Sequence, residues 1–212
     1  MARRTKEDAQ ATRTALLDAA EHVFLQCGVA RTSLAEIAQA AGLTRGAIYW
    51  HFKDKSDLFM AMLERVTLPL EAELIALTGN SLEGTDAIAL LRQRAKDALH
   101  KIVHDDQTGR VAEIATLMVE MVDDLAPLRV RCAQGVQDNV ARIASVLTKA
   151  AQQRGVRLPQ RASVLARGLD AMIGGLVHSW LLQRSFDLEM VAGHALDAFL
   201  RGIGLPPLPD QG

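Results

Sequence analysis

The sequence is poor in several residue types whose abundance would indicate particular classes of protein. Only 4% of its 212 residues are aromatic, and only two, Cys27 and Cys132, are cysteines. With no secretory signal and no apolar run long enough to span a bilayer, these cysteines are expected to be reduced thiols in a cytoplasmic protein that has no membrane partner. A redox switch is the alternative, but no resolving thiol or basic activator lies nearby in the sequence. Cys27 is expected to pack at the end of the first helix.

Signatures of common catalytic sites are also missing. The sequence has no Gly-rich phosphate loop, no nucleophile elbow and no zinc-finger cysteine pattern, so we expect neither an enzyme nor a bound cofactor. His100 and His104 are spaced to share one face of a helix, beside Asp105 and Asp106, but this spacing alone is a weak metal signal. A solvated face near a helix end, where the dipole favours histidine, is the preferred interpretation. No metal is therefore predicted.

Helical periodicity is what the sequence has in abundance. Nearly every segment outside the loops places apolar residues at helical spacing, and no alternating strand run is found, which predicts an all-α fold. After residue 54, helices are expected over 55–77, 85–105, 107–121, 125–154, 161–183 and 188–203. Three prolines after residue 205 cannot continue a helix, so 206–212 is predicted to be a flexible tail.

The first of three earlier helices is predicted over 14–24. Its apolar residues form one stripe, and Asp18 and Glu21 are expected to point away from that stripe. Gly28 is the natural residue to end it.

A second and a third helix follow across a tight turn. Ser33 and Glu36 have the spacing of a capping box, which opens the second helix, and Gly42 ends that helix. Thr44 is a favourable N-cap for the third helix. Two short helices joined so closely predict a helix-turn-helix unit, whose second helix enters the major groove of DNA.

The third helix, in the run Thr-Arg-Gly-Ala-Ile-Tyr-Trp-His-Phe over 44–52, combines cations, hydrogen-bond donors and aromatic rings. Ala47, Ile48 and Phe52 are expected to face the core. The residues expected to face outward are Thr44, Arg45, Tyr49, Trp50 and His51. Gly46 costs roughly 1 kcal/mol relative to alanine, but its missing side chain would allow a DNA strand to approach closely. A helical hairpin with an ordinary solvated face is the alternative, although it would expose Tyr and Trp in a chain with few aromatics.

These residues carry a resemblance to a known family. Residues 13–63 resemble the DNA-binding domain of the TetR family of bacterial repressors, through the strings Gly-Val-Ala-Arg-Thr-Ser-Leu-Ala-Glu-Ile-Ala, Ala-Gly-Leu-Thr-Arg-Gly-Ala-Ile-Tyr-Trp-His-Phe and Lys-Asp-Lys-Ser-Asp-Leu. Within the family, the opening Met-Ala-Arg-Arg-Thr-Lys-Glu-Asp-Ala-Gln and the Ala-Ile-Tyr-Trp-His-Phe string are most similar to repressors of multidrug efflux pumps, the AcrR and TtgR kind.

The resemblance implies an architecture and a function. It implies an N-terminal arm and three-helix helix-turn-helix DNA-binding domain over 1–54 and a helical ligand-binding and dimerisation domain over 55–205. The expected function is a homodimeric repressor that binds a palindromic operator in double-stranded DNA and is released by small lipophilic or antimicrobial compounds. The regulated genes are expected to encode a multidrug efflux system.

The resemblance also implies roles for individual residues. The family's recognition helix reaches base edges and flanking phosphates, and the positions that match it are Thr44, Arg45, Tyr49, Trp50 and His51. Thr32 or Ser33, and Lys55, match positions that grip phosphate. Elementary physics agrees, because helix N-termini attract anions and arginine can bond guanine in bidentate fashion.

The distribution of charge fits this interpretation. A formal net charge of −1 argues against a protein that coats DNA without specificity, yet basic residues gather near the predicted DNA-facing end. Arg3, Arg4 and Lys6 precede the first predicted helix. They are expected to form an arm along the DNA backbone or in the minor groove, or else a disordered solvated tail.

The last two helices are predicted to form a dimer interface. Their apolar residues, which recur at helical spacing, include Gly168, Leu169, Ile173, Leu176, Trp180, Leu196 and Phe199. Two such helices from each of two copies would make a four-helix interface, and a dimer would let two recognition helices read a palindrome. Packing inside one chain's core is the alternative.

A ligand pocket is the remaining expectation. The residues proposed to line it are Glu113, Ile114, Leu117, Met118, Met121, Met172, Val177 and His178. Methionine adapts to varied apolar ligands, and the carboxylate of Glu113 would favour cationic ones. Ordinary core packing explains the same residues. A DNA-binding regulator without a small-molecule inducer is therefore the alternative function.

Overall fold

The computed structural model describes residues 6–75, 86–119 and 126–207, and most of these residues are helical. These residues form nine α-helices and no β-strand: α1 (Lys6–Cys27), α2 (Leu34–Ala40), α3 (Arg45–His51), α4 (Lys55–Ile75), α5 (Ala87–His104), α6 (Asp106–Leu117), α7 (Ala126–Arg154), α8 (Ala162–Gln183) and α9 (Leu188–Gly202). The predicted all-α fold is confirmed. Within the described ranges, none of the helices combines the length and apolarity that crossing a membrane requires.

The first helix is longer than predicted. It starts at Lys6 rather than near Thr14, so the expectation that Lys6 precedes the helix is wrong. The residues before Thr14 favour helix for two reasons: acidic side chains in the first turn complement the helix dipole, and the hydroxyl of Thr12 donates to the carbonyl of Asp8 at 2.8 Å. Arg3 and Arg4 lie outside the described residues, as does Met121.

The first of two compact units contains the described residues 6–68, 107–119 and 126–132. Its core is formed by α1, α2, α3, the first part of α4, and α6. The rings of Phe24 and Phe59 pack at its centre with centroids 6.1 Å apart. Cys132 packs against this core, and burial raises the pKa of its thiol. Cys27 is exposed, so the expectation that it packs is wrong.

A buried carboxylate links three helices of this unit. Glu21 of α1 was expected to point away from the apolar stripe, but its side chain is fully buried. Arg65 of α4 donates to one of its oxygens, and Arg110 of α6 donates to the other from Nε and Nη2 at 3.3 and 3.2 Å. Gln107 adds a bond of 3.2 Å. A buried charge is tolerated when it is paired and hydrogen-bonded in this way.

The second compact unit contains the described residues 69–75, 86–106 and 133–207. Its core is largely aliphatic, and the residues fully shielded from solvent are Ala87, Ile88, Leu147, Ala150, Ala166, Leu200 and Leu205. Ion pairs lie at its partly exposed margin. The guanidinium of Arg92 on α5 bonds both carboxylate oxygens of Asp197 on α9, at 2.7 and 3.0 Å, and Arg154 bonds Asp86 at 2.8 Å. The predicted domain boundary between residues 54 and 55 stays a prediction.

Candidate nucleic-acid interface

The N-terminus of α2 is fixed by the predicted capping box. The Ser33 hydroxyl accepts from the backbone N–H of Glu36 at 3.3 Å, while the Glu36 carboxylate accepts from the Ser33 backbone N–H at 2.7 Å. The Ser33 hydroxyl also donates to the same carboxylate oxygen at 2.8 Å. The two bonds that Ser33 donates to the carboxylate, from its backbone N–H first and its hydroxyl second, lower the pKa of Glu36. The carboxylate that caps α2 is therefore ionised at neutral pH, and the start of α2 is well defined.

The turn between α2 and α3 is also fixed by local backbone geometry and hydrogen bonds. Gly42 has φ = +68°, a left-handed conformation that favours glycine. The N–H of Leu43 donates to the carbonyl of Ala38 at 2.8 Å, which closes the end of α2. The Thr44 hydroxyl then accepts from the N–H of Ala47 at 3.2 Å, confirming Thr44 as the N-cap of α3. The predicted helix-turn-helix geometry is confirmed.

The two faces of α3 differ sharply. Ile48 and the C-cap Phe52 are buried in the core of the first unit, whereas Tyr49 and Trp50 retain 49% and 72% of their accessible surface. Burying aromatic area is strongly favourable, so leaving these two rings in solvent costs stability that a partner would recover. The expected inward and outward positions are confirmed for these four residues.

His51 departs from the expectation that it faces outward. It is half-buried, because its ring packs against its neighbours, 4.5 Å from the ring of Trp50 and 6.2 Å from that of Phe52 between centroids. Its edge-on contact with Trp50 helps to fix the orientation of that exposed ring.

Two arginines lie over aromatic rings of this region. The guanidinium carbon of Arg45 is 5.5 Å from the centre of the Tyr49 ring, and that of Arg13 is 5.1 Å from the centre of the Phe52 ring. Stacking of this kind limits the freedom of a long side chain. Arg45 and Tyr49 are both exposed, so they form one cationic and aromatic surface on α3.

Thr32 and Lys55 are engaged with the protein's own backbone. Thr32 is only 3% exposed, and its hydroxyl donates to the carbonyl of Gly28 at 2.7 Å. The ammonium of Lys55 donates to the carbonyls of Ala30 and Thr32 at 2.8 and 2.9 Å. Both side chains thereby fix the segment between α1 and α2. Of the alternatives Thr32 and Ser33, Ser33 is the exposed one.

Gly46 is not required by the protein's own packing. A Cβ atom added there would meet only the Thr44 hydroxyl oxygen, at 3.9 Å, and no unusual backbone angle calls for glycine. The side of α3 that carries Gly46 lines a shallow depression together with Gly42, Thr44 and Trp50. The missing side chain therefore leaves open surface.

The residues predicted to line a ligand pocket fall in both compact units. Glu113, Ile114, Leu117 and Met118 belong to the first unit, where Ile114 is fully buried and the other three are half-buried. In the second unit, Met172 and Val177 are half-buried, and His178 is exposed. The pocket stays a prediction.

The predicted dimer residues divide by burial. Leu169, Trp180 and Leu196 are already buried by their own chain, whereas Gly168 is exposed. Ile173, Leu176 and Phe199 are half-buried. The exposed residues of α8 that recur at helical spacing are Val164, Gly168, Ala171, Gly175, His178 and Leu182. Sequence periodicity identified the two helices but could not separate their inward from their outward sides.

Comparison with known proteins agrees with this geometry. Residues 16–62 match the family of bacterial regulatory proteins described as the tetR family, and residues 86–204 match the C-terminal region of MAATS-type transcriptional repressors. The chain is 36% identical over 182 residues to the HTH-type transcriptional regulator TtgR of Pseudomonas putida, and this alignment covers 86% of each chain.

Solved structures give the same result. The crystal structure of NalD, the secondary repressor of the MexAB-OprM multidrug efflux pump in Pseudomonas aeruginosa, has a TM-score of 0.81 and 35% identity, covering 93% of this chain and 98% of NalD. A complex of SmeT with triclosan has a TM-score of 0.79 and 32% identity, covering 94% of this chain and all of SmeT. SmeT is the repressor of the Stenotrophomonas maltophilia efflux pump SmeDEF. The chain therefore belongs to the TetR family and is a transcriptional repressor related to those that control multidrug efflux pumps.

Proposed function

We propose that the protein is a homodimeric repressor that binds a palindromic operator through α3, controls a multidrug efflux operon and is released by lipophilic or antimicrobial compounds. The observation that carries this proposal is the exposed face of α3. A capped helix seven residues long presents a cation and two aromatic side chains to solvent, on a scaffold fixed by buried residues on its other face.

The chemistry of this face suits a major groove. Arg45 can donate two parallel hydrogen bonds to guanine, and Tyr49, Trp50 and Thr44 can bond phosphates or pack against sugars and base methyl groups. Ser33 lies at the exposed start of α2, where the helix dipole attracts a phosphate. Its hydroxyl now donates to Glu36 at 2.8 Å, so a phosphate would take the place of that carboxylate as acceptor. Thr32 and Lys55 support this surface from behind by holding the α1–α2 segment, and His51 supports the ring of Trp50.

Dimerisation is supported by the outer side of α8. Gly168, Ala171 and Gly175 are exposed and small, and small residues let two helices approach closely. Val164 and Leu182 extend the strip with apolar side chains that are 51% and 59% exposed. A second copy related by a twofold axis would cover the strip with the same strip.

Ligand response is supported by the relatives and by residue chemistry. The structure of SmeT with triclosan, a lipophilic antimicrobial, shows that a related chain accepts such a compound. Half-buried Met118 and Met172 are adaptable, apolar side chains, and Glu113 offers a negative charge to cationic compounds. We infer that ligand binding favours a conformation whose recognition helices do not match the operator.

The test is binding of the full chain to a fluorescent duplex covering the DNA upstream of its own gene. Anisotropy is followed at several salt concentrations, with and without triclosan and a panel of lipophilic antibiotics and dyes. We expect specific binding that weakens steeply with salt and that active compounds weaken by roughly 5- to 150-fold.

The competing outcomes separate the two candidate functions. Specific binding that none of the compounds weakens would favour the regulator without a small-molecule inducer. Binding no stronger than to a scrambled duplex of the same length and composition would contradict a role at this operator. Trp50→Ala tests whether α3 makes the contact with DNA. The Trp50 side chain is exposed, so its removal should leave the fold intact while weakening operator binding.

A further inference from the structure

A cluster of metal-ligating side chains lies in the second unit, which contains none of the residues assigned to DNA. His100 and His104 on α5 and Glu189 on α9 place one ligand atom each within 4.8 Å of the others. Nδ1 of His100 is 3.3 Å from Oε2 of Glu189, and Nε2 of His104 is 2.8 Å from Oε1. From this geometry, we propose that His100, His104 and Glu189 bind a divalent transition-metal ion, with Zn²⁺ the best match.

The ligand set fits zinc chemically. Two imidazole nitrogens and one carboxylate, with a fourth position open to water, form an established zinc coordination set. Ligands about 2.1 Å from a tetrahedral zinc ion lie about 3.4 Å apart. The separation between His100 Nδ1 and Glu189 Oε2, 3.3 Å, is close to this value, whereas that between His104 Nε2 and Oε1, 2.8 Å, is shorter. Completing the site therefore requires the side chains to rotate, and both histidines are exposed.

The backbone that carries the three residues is held independently of them. His100 and His104 are four residues apart and lie on one face of α5, with ring centroids 4.3 Å apart. The two-pronged bond between Arg92 and Asp197 joins α5 to α9 elsewhere along the same pair of helices. The Asp187 carboxylate accepts from the N–H of Met190 at 2.9 Å and so fixes the first turn of α9. The backbone positions of the three ligands are therefore fixed without metal.

Local electrostatics also favour a cation. His104 is the last residue of α5, and the C-terminal end of a helix carries partial negative charge. Asp105 caps that end, and Asp106 follows it. Lys101, in the last turn of α5, opposes the effect. The sequence analysis interpreted the two histidines as a solvated face and predicted no metal. Their spacing could not reveal Glu189, which is 85 residues from His104 along the chain.

A metal ion bound by these three residues would cross-link α5 and α9. In the metal-free protein, one carboxylate accepts hydrogen bonds from two exposed imidazoles, which is a weak link. Metal would replace those protons and fix both helices to one centre, so it should stabilise the second unit against unfolding. This inference is independent of the proposed DNA-binding function.

The experiment uses the full chain without a histidine tag, stripped with a chelator and dialysed. ZnCl₂ is titrated against a chromophoric chelator, and thermal unfolding is followed with and without metal. We expect one Zn²⁺ per chain and a higher unfolding midpoint. His100→Ala and His104→Ala should each lower affinity by at least about a hundredfold, and Co²⁺ should give d–d bands without thiolate charge transfer.

Matched controls make the result decisive. His194→Ala removes an exposed histidine from α9, and Cys27→Ser removes the exposed thiol; neither should change affinity by more than about twofold. Circular dichroism of the metal-free variants checks that they fold. Failure to saturate with Zn²⁺, Ni²⁺ or Co²⁺ would overturn the proposal. So would binding that survives His100→Ala and His104→Ala together, or that disappears in Cys27→Ser.

Discussion

The two compact units use charge and exposed apolar surface in opposite ways. The first unit buries a carboxylate, Glu21, among the side chains of three helices and exposes two large aromatic rings on α3. The second unit keeps its strong ion pairs at the partly exposed margin and exposes small side chains along α8. Large aromatic rings beside an arginine are suited to the groove of DNA. Small side chains are suited to close contact with another helix. The difference fits the proposal that the first unit binds DNA and the second unit binds a second copy of the chain.

The largest expected effect tests the outer side of α8. A Cβ at Gly175 would meet nothing within 4 Å in its own chain, so Gly175→Arg should leave the protomer folded. In a twofold dimer it would bring two like charges together, at a cost of several kcal/mol. We expect the dimer dissociation constant to rise by more than about a hundredfold, measured by analytical ultracentrifugation.

Gly135→Arg is the control for this substitution. Gly135 is also an exposed helical glycine with open space around its Cβ position, but it lies on α7. The same charge there should leave the dimer unchanged. A Gly175→Arg protein that remains dimeric at low concentration would show that this strip of α8 is not the interface.

The next effect tests the buried carboxylate of the first unit. Glu21→Ala leaves the Arg65 and Arg110 guanidiniums without their shared partner. The cost should be about 3 kcal/mol of unfolding free energy, at the low end for buried pairs, because these side chains remain 20% and 32% exposed. Urea denaturation at fixed protein concentration measures it.

Asp18→Ala is the matched control on the same helix. Asp18 also bonds Arg65, at 2.7 Å, but its side chain is 52% exposed. Exposed ion pairs contribute about 0–1 kcal/mol, so this variant should be much less destabilised. Equal losses in the two variants would contradict the special role of the buried carboxylate.

The third effect tests the cationic part of the α3 surface. Arg45→Ala should lower operator affinity by about 1–3 kcal/mol and relax specificity at one base pair of each half-site. Arg45→Lys should recover little, because lysine cannot form the bidentate bond. Anisotropy with singly substituted duplexes measures both. Arg157→Ala, which removes an exposed arginine of the second unit, should leave affinity nearly unchanged; an equal loss there would point to net charge alone.

Replacing Gly46 with alanine should have smaller effects, which are opposite in sign for stability and for operator affinity. Gly46→Ala should raise stability by up to about 1 kcal/mol, because alanine favours helix and its Cβ meets nothing closer than 3.9 Å. It should nevertheless weaken operator binding several-fold if DNA approaches the backbone there. Gly135→Ala should give the stability gain alone. Unchanged operator affinity in Gly46→Ala would remove Gly46 from the interface.

The smallest effect compares the two thiols of the first unit. Burial raises the pKa of Cys132, so less of its reactive thiolate is present at neutral pH, and its half-buried position slows access further. Cys27 is exposed. Labelling with iodoacetamide, followed by mass spectrometry of Cys27→Ser and Cys132→Ser, should show Cys27 reacting several-fold faster. The reverse order would contradict the packing of Cys132.

Local features of the DNA-binding region could be predicted because each depends on neighbours in sequence. The capping box at Ser33, the left-handed Gly42 and the N-cap Thr44 are all set within a few residues. Features that depend on distant helices could not. Glu21 was placed on a polar face because its partners Arg65 and Arg110 are remote in sequence.

The same limit applies to the candidate sites. Periodicity located α8 but could not tell that Trp180 and Leu169 are buried by their own chain while Gly175 is exposed. The pairing of two histidines with Glu189 likewise requires knowledge of how α5 packs on α9. Thr32 is a different kind of miss: it was matched to a phosphate position by resemblance, yet its hydroxyl donates to the carbonyl of Gly28 four residues earlier. That bond is a local pattern open to any threonine, so distance in the sequence does not explain this miss.

Footprinting of the DNA upstream of the gene, with the wild-type chain and Arg45→Ala side by side, tests the central claim that α3 reads operator DNA. The account predicts that the wild type protects one site with twofold symmetry, its half-sites about one helical turn apart, and that Arg45→Ala loses this protection at the same concentration. Identical protection by both proteins, or wild-type protection without symmetry or sequence preference, would contradict it.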